Sequence, residues 1–175
     1  NYYSEIMKND LTEGRMAFEK QLDIMCAGAF SVSNDSDLKW VYFLDGLKDG
    51  DNNIAALIRC NDMLRQTFAD SEHYQNYSVI MKNELIFRKS GMVVGDKFFY
   101  DNYCTYQNTD FETWRKQSFE SNTWQLFPLE EIDTGERTFQ AMTFSYPVRN
   151  YIQQEPEANA VVQFLLSKEN LEQMF

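Results

Sequence analysis

Arg137-Thr-Phe-Gln-Ala-Met-Thr-Phe-Ser-Tyr-Pro147 and Asn159-Ala-Val-Val-Gln-Phe-Leu-Leu-Ser167 decide the fold. Both stretches are rich in β-branched and aromatic residues and read as long strands, Arg137 to Tyr146 and Ala158 to Ser167. A polar connection holding Pro147 and Pro156 joins them. The second strand passes directly into Lys168-Glu-Asn-Leu-Glu-Gln-Met-Phe175, a short helical run. A chain that stops on an apolar residue in the first turns of a helix is expected to have a neighbour beyond it. Its function is then expected to be communication with that neighbour.

Working back from this pair, Asp133-Thr-Gly-Glu136 is a hairpin turn, and Trp124 to Leu129 reads as a strand stopped by Pro128. Asp110 to Glu120 reads as a helix capped by Thr109 or Asp110. Gly95 to Asn108 reads as a long aromatic loop carrying Phe98, Phe99, Tyr100, Tyr103 and Tyr106. Tyr74 to Met81 and Leu85 to Arg88 are strands around a tight turn at Lys82-Asn83-Glu84, and Ser90-Gly91 breaks the second. Residues 74–175 thus predict a five-stranded antiparallel sheet module.

Residues 1–73 read as helical. Ile6, Phe18, Leu22, Met25 and Ala29 recur at helical spacing in one helix over residues 1–33, weakened in its middle by Gly14. A polar turn at Ser31 to Asp37 precedes a short helix at Leu38 to Leu47, with Trp40, Phe43, Leu44 and Leu47 on one side. Asp49-Gly-Asp-Asn-Asn53 reads as a capping turn, and Ile54, Leu57, Ile58, Leu64 and Phe68 mark a third helix ending near Asp70. The architecture expected is α+β: a long N-terminal helix packed on a five-stranded antiparallel sheet, together one domain. One sheet face is covered by that helix. The other can carry a pocket closed by the segment between the second and third strands.

Composition narrows the function classes. The 175 residues include 27 aromatic side chains but only 7 glycines and 3 prolines, the make-up of an ordered globular domain. Sixteen basic against 27 acidic residues give a net charge of −11, which repels phosphate backbones, so no nucleic acid is expected to bind here. Nor is there a basic patch for anionic lipid. The three cysteines, Cys26, Cys60 and Cys104, fit no zinc spacing. They read as buried thiols, with one disulfide plus a free thiol as the alternative. No signal peptide and no apolar run near 18 residues occurs.

Catalytic motifs are sparse. His73 is the only histidine and reads as a surface residue. Asp45, Asp49 and Asp51 have calcium-loop spacing, but Ile54 stands where an EF-hand needs glycine, so a solvated cap is the expected role. Gly-rich phosphate loops, nucleophile elbows and zinc-protease motifs do not occur, and neither an enzyme activity, a metal nor a cofactor is expected.

The aromatic segment from Phe98 to Trp124 is the candidate site. Tyr100, Tyr103, Tyr106, Trp114 and Trp124 offer flat apolar faces, most with polar tips, suited to sugars, amino acids and amines. Arg115 can fork onto a carboxylate, and Asp101 or Asp110 can hold an ammonium. Thr143, Ser145 and Tyr146 can line the sheet side. The alternatives stay open: Trp114 and Trp124 can instead anchor the segment to the sheet, and Arg115 can instead lie on a solvated helix face. The first helix, about 50 Å long, exceeds what such a sheet covers. Part of it is expected to meet a second copy, giving a homodimer, or to continue toward a membrane.

The order of these pieces resembles the extracellular Cache-type (PAS-like) sensor domains of bacterial membrane regulators. The likeness is to the sensor halves of membrane-bound AraC-type transcription regulators and related histidine kinases of Gram-positive bacteria. It is carried by the opening helix, Tyr77-Ser-Val-Ile-Met81, Leu85-Ile-Phe87, Phe99-Tyr100-Asp101-Asn-Tyr103, Phe111-Glu-Thr-Trp114, Thr143-Phe-Ser-Tyr-Pro147, Ala160 to Leu166 and Glu169-Asn-Leu171. The resemblance implies a non-enzymatic sensor on the extracytoplasmic face, a single module or a double one with the second reduced, attached through flanking spans outside this chain. A small polar molecule (sugar, amino acid, amine or carboxylate) would bind at Tyr100, Asp101, Tyr103, Trp114, Arg115, Trp124, Thr143 and Tyr146. The amino-acid-binding members carry their Arg and Trp in another order than Trp114-Arg115, so that ligand class is not transferred. The rival readings are a structural dimerisation module with a filled pocket and a small enzyme.

Overall fold

A computed structural model describes residues 2–42, 50–69, 74, 76–149 and 155–175. The elements are α1 (Tyr2–Ser33), α2 (Ser36–Val41), α3 (Gly50–Phe68), β1 (Asn76–Met81), β2 (Leu85–Arg88), β3 (Gly91–Val94), α4 (Asp96–Tyr103), β4 (Thr105–Tyr106), α5 (Phe111–Glu120), β5 (Gln125–Asp133), β6 (Thr138–Val148), β7 (Ala160–Ser167) and α6 (Lys168–Met174). The chain is α+β with a long N-terminal helix, as expected. Among the described residues the sheet is antiparallel but has seven strands, in the order β3-β2-β1-β7-β6-β5-β4, rather than five.

The two extra strands are short edges. Lys89-Ser90 does not end the strand pairing; it turns the chain so that β3 folds back along β2. β4 is a two-residue strand inside the stretch read as an aromatic loop, and α4 occupies most of the rest. The helix escaped detection because Gly95, at its N-cap, supplies no side-chain cap. The aromatic spacing Phe99–Tyr103 is nonetheless one helical turn. Pro128 also fails to stop its strand. β5 runs on to Asp133, and a register shift between Phe127 and Glu130 places the proline at a bulge. Pro147 lies within β6 opposite Val161 of β7, beyond the point where β5 ends opposite Ser145, so one side of the strand is an open edge there.

The helices match in kind with shifted ends. Asp35 caps α2 by accepting from the Leu38 N–H at 2.9 Å. Leu38 and Val41 are buried, whereas Trp40, expected on the apolar side, is exposed. Phe43, Leu44, Leu47, Asp45, Asp49 and His73 lie outside the described residues. Asp51, Asn52 and Asn53, read as a turn, belong to the first turns of α3.

Two apolar cores sandwich the sheet. On one face, Met25, Ala29 and Val32 of α1, Leu57, Cys60, Leu64 and Phe68 of α3, and Leu38 and Val41 of α2 pack on Tyr77, Val79, Phe87, Phe144, Val162 and Phe164. On the other, Phe99 and Tyr100 of α4, Tyr106 of β4, and Trp114 and Phe119 of α5 pack on Ile80, Ile86, Ile132, Val161 and Leu165. β7 contributes to both cores, and all eight of its residues are buried. That explains its near-continuous apolar run. The β6–β7 connection is tied down by Arg149, whose guanidinium donates to the Ser121, Phe119, Glu155 and Pro156 carbonyls at 3.0–3.2 Å. Two of those carbonyls close the C-terminal end of α5, where helix acceptors otherwise lack partners.

α1 projects beyond the sheet. Residues 2–13 are exposed throughout, including Tyr2, Tyr3, Met7 and Leu11. The helix then meets α6 at Gly14. A Cβ at this buried position would lie 2.3 Å from the Phe175 ring and 2.8 Å from the Met174 carbonyl oxygen. Gly14 is therefore a close-approach site and not simply a weak point in the helix.

In an unhindered helix, Gly→Ala stabilises by about 1 kcal/mol. Gly14→Ala is predicted to show no such gain in urea unfolding, and to speed amide exchange in α6. A normal gain with unchanged exchange would show that α6 is not seated on Gly14.

Candidate functional site

The α4–α5 face carries a polar row that crosses the sheet. Arg88 on β2 lies opposite Ser78 on β1; Ser78 lies opposite Gln163 on β7; Gln163 lies opposite Ser145 on β6. Directly opposed residues share a face in an antiparallel sheet, so these four side chains form one transverse line.

Half of the line is sealed. The Gln163 carboxamide oxygen accepts from Trp114 Nε1 at 3.3 Å, and its nitrogen donates to Ser118 Oγ at 2.8 Å and Ser145 Oγ at 3.1 Å. Ser118 in turn donates to the Trp114 carbonyl at 2.7 Å. This network bolts α5 onto the middle of the sheet. Asp110 starts α5 by accepting from the Thr113 N–H at 2.8 Å. Nearby, Tyr106 and Thr143 share a buried hydroxyl–hydroxyl bond of 2.7 Å. The Tyr100 hydroxyl donates to the Thr109 carbonyl. Burial pushes both phenols above their ordinary range, so they stay neutral.

The other half of the line is open. A cleft of about 50 Å³ lies over Arg88, Ser78 and Gln163, walled by Phe99, Tyr103 and Cys104 from α4 and reaching the β5–β6 turn at Thr134 and Glu136. The Arg88 guanidinium stacks on the Tyr103 ring, 3.8 Å from its centroid. Its Nη1 is buried with no hydrogen-bond partner.

The eight residues expected to form a site do not share one place. Tyr103 alone among them lines the cleft. Trp114, fully buried, is the centre of the second core with Tyr100, and Thr143 is buried against Tyr106. Tyr146 packs with the opposite core, and Trp124 stacks on Phe144 of that core at 5.6 Å. Asp101 is exposed and pairs with Lys97 one turn away on α4. Arg115 is engaged by Asp96 at 2.6 Å and Glu157 at 3.1 Å and lies over the Phe119 ring, so its fork ties α5 to α4 and to the β6–β7 connection.

Arg88, Ser78 and Gln163 were missed, although two signals were readable. Gln163 interrupts Ala160-Val-Val-Gln-Phe-Leu-Leu166, and strand alternation puts Arg88 on the same face as Ile86.

Cys26, Cys60 and Cys104 are free thiols, and burial pushes Cys60 and Cys104 up to about 12, away from the reactive thiolate. Among the described residues, no group of three or more His, Cys, Asp or Glu side chains could hold a metal ion. One acidic contact is nonetheless distinctive. Asp96 raises the Glu84 carboxyl by hydrogen bonding and by its like charge. No protein-family model matches the sequence, and comparison with curated proteins finds no match.

Three substitutions test these contacts. Gln163→Leu leaves Trp114 Nε1 and the Ser145 hydroxyl without their partner and is predicted to cost about 2–3 kcal/mol in urea unfolding. Tyr106→Phe, which strands one hydroxyl, should cost about 1 kcal/mol. For Glu84, a folded pKa above the unfolded one stabilises at acid pH, and the contribution is lost as pH rises through the folded value. Glu84→Gln is therefore predicted to gain stability over the natural chain at neutral pH, with the difference shrinking on acidification through the carboxylate range. A pH-independent difference would contradict the Asp96 contact.

Proposed function

We propose that this chain is a non-enzymatic, extracytoplasmic sensor domain of a transmembrane signalling protein, of the kind that precedes a transcription regulator or a histidine kinase. A small polar molecule binds in the cleft between the sheet and α4. The observation that carries this reading is the path of β7. Gln163 and Leu165 line the cleft, and two residues later Ser167 caps α6 by accepting from the Asn170 N–H at 3.2 Å. α6 in turn ends against Gly14 of α1. Occupation of the cleft on one face therefore bears on a helix pair on the other, through a strand buried along its whole length.

The order of elements supports the Cache-like likeness. A long helix covers one sheet face, and a helical segment between the β2–β3 hairpin and β5 covers the other. Among the described residues, no helix is long and apolar enough to cross a membrane, so in this reading the spans lie elsewhere in the parent protein. The exposed apolar residues of α1, Met7 and Leu11 among them, are the surface through which two copies pair. A ligand moves the equilibrium only by its difference in affinity for the two states, so binding must tighten the α4 wall.

One observation favours the rival structural module: the centre of the α4–α5 face is filled by Trp114 and its hydrogen bonds. A thermal-shift screen of sugars, amino acids, amines and carboxylates decides between the two. A ligand at 100 times its dissociation constant adds about 2.7 kcal/mol, roughly 5–10 °C at this chain length. A shift of that size, lost in a folded Tyr103→Ala variant, is predicted. A flat screen, with a dimer that dissociates on Leu11→Glu, would establish the structural module instead.

A further inference from the structure

Among the described residues, Arg88 differs from the cations that have polar partners. Lys97, Arg115, Arg59 and Lys82 pair with carboxylates, and Arg149 caps backbone carbonyls. Arg88 stacks on Tyr103 and leaves Nη1 buried without an acceptor. A buried donor without a partner is costly, and more so when it carries charge. Stacking occupies the face of the guanidinium. Its N–H groups point outward in the plane, where a planar, two-oxygen acceptor fits them.

The geometry points to Arg88 as the recognition group for a small carboxylate held in this cleft. The proposal rests on the sensor reading above and names its ligand class. The cleft's shape sets the limits. About 50 Å³ has room for roughly four water-sized groups, which suits an acid of about two or three carbons. Phe99 and Leu165 supply an apolar wall for its tail, and Ser78 lies across from Arg88 as a polar neighbour. Lys89 and Glu136 are exposed residues of the lining, so their charges offset one another and Arg88 supplies the net positive charge. In a chain of net charge −11, a local site of this sign selects for anions against the general field. Tyr103 fixes the guanidinium plane, so recognition needs no reordering of a flexible side chain.

The test is calorimetric titration of the whole chain with acetate, propanoate and lactate. Acetamide and propanamide serve as neutral counterparts, and glucose and ethanolamine as other classes. Acids are expected to bind, and the amides of equal shape at least tenfold more weakly. Arg88→Gln should weaken the acids at least tenfold, and Arg88→Lys, which keeps the charge but loses the fork, should fall between. The acid–amide comparison uses the unaltered protein, so it stands even if a variant fails to fold. Equal binding of acid and amide, or binding of glucose or ethanolamine alone, would overturn the carboxylate proposal and leave the sensor reading standing. No binding of any compound would overturn both, with Glu136 then the natural internal counter-ion for Arg88.

Discussion

The structure hangs on a single carboxamide. Gln163 sits in the most deeply buried strand, where an unpaired amide would be expensive, and it finds Trp114, Ser118 and Ser145 as partners. This constraint fixes α5 over the centre of the sheet. With α5 fixed, Arg115 reaches Asp96 and Glu157, and Arg149 reaches the end of α5. A polar group inside an apolar strand thus specifies which helix lies on that face and at what height.

The two sheet faces then have different characters. The face under α1, α2 and α3 is an apolar core of aliphatic and aromatic residues. The opposite face is apolar around a polar line, closed by Trp114 at one end and open at Arg88 at the other. β7 belongs to both faces and continues into α6, which rests on α1 at Gly14. Coupling of this kind needs no long relay. One strand carries side chains for the cleft and backbone for the helix junction.

The strands β1, β6 and β7 are legible because alternation or apolar character spans most of each, and β2 because its run Leu85-Ile-Phe87 returns from a tight turn. The α1 stripe was legible in its second half, where Met25 and Ala29 are buried; Ile6, read as part of the stripe, is exposed because the helix outruns its sheet. The edges were not legible. β4 has only two residues, β3 offers only Met92-Val-Val94 behind a glycine, α4 lacks a capping side chain, and the bulge at Pro128 depends on the partner strand. The site was harder still. Aromatic residues point the sequence reading toward Trp114 and Trp124, yet one is buried as core and the other stacks on Phe144 of the opposite face. Arg115 has partners in Asp96 and Glu157 that only tertiary contact reveals. Arg88 becomes informative only when its register against Ser78 and Gln163 is known.

If β7 joins the cleft face to the α6–α1 junction as one mechanical unit, loosening one end loosens the other. Residue-resolved amide hydrogen exchange on Gln163→Leu and the natural chain, under conditions where both are folded, tests it most directly. Faster exchange is expected in α5, where the network is cut, and also in α6 and around Gly14 of α1. Faster exchange confined to α5, with α6 and the Gly14 turn unchanged, would contradict it.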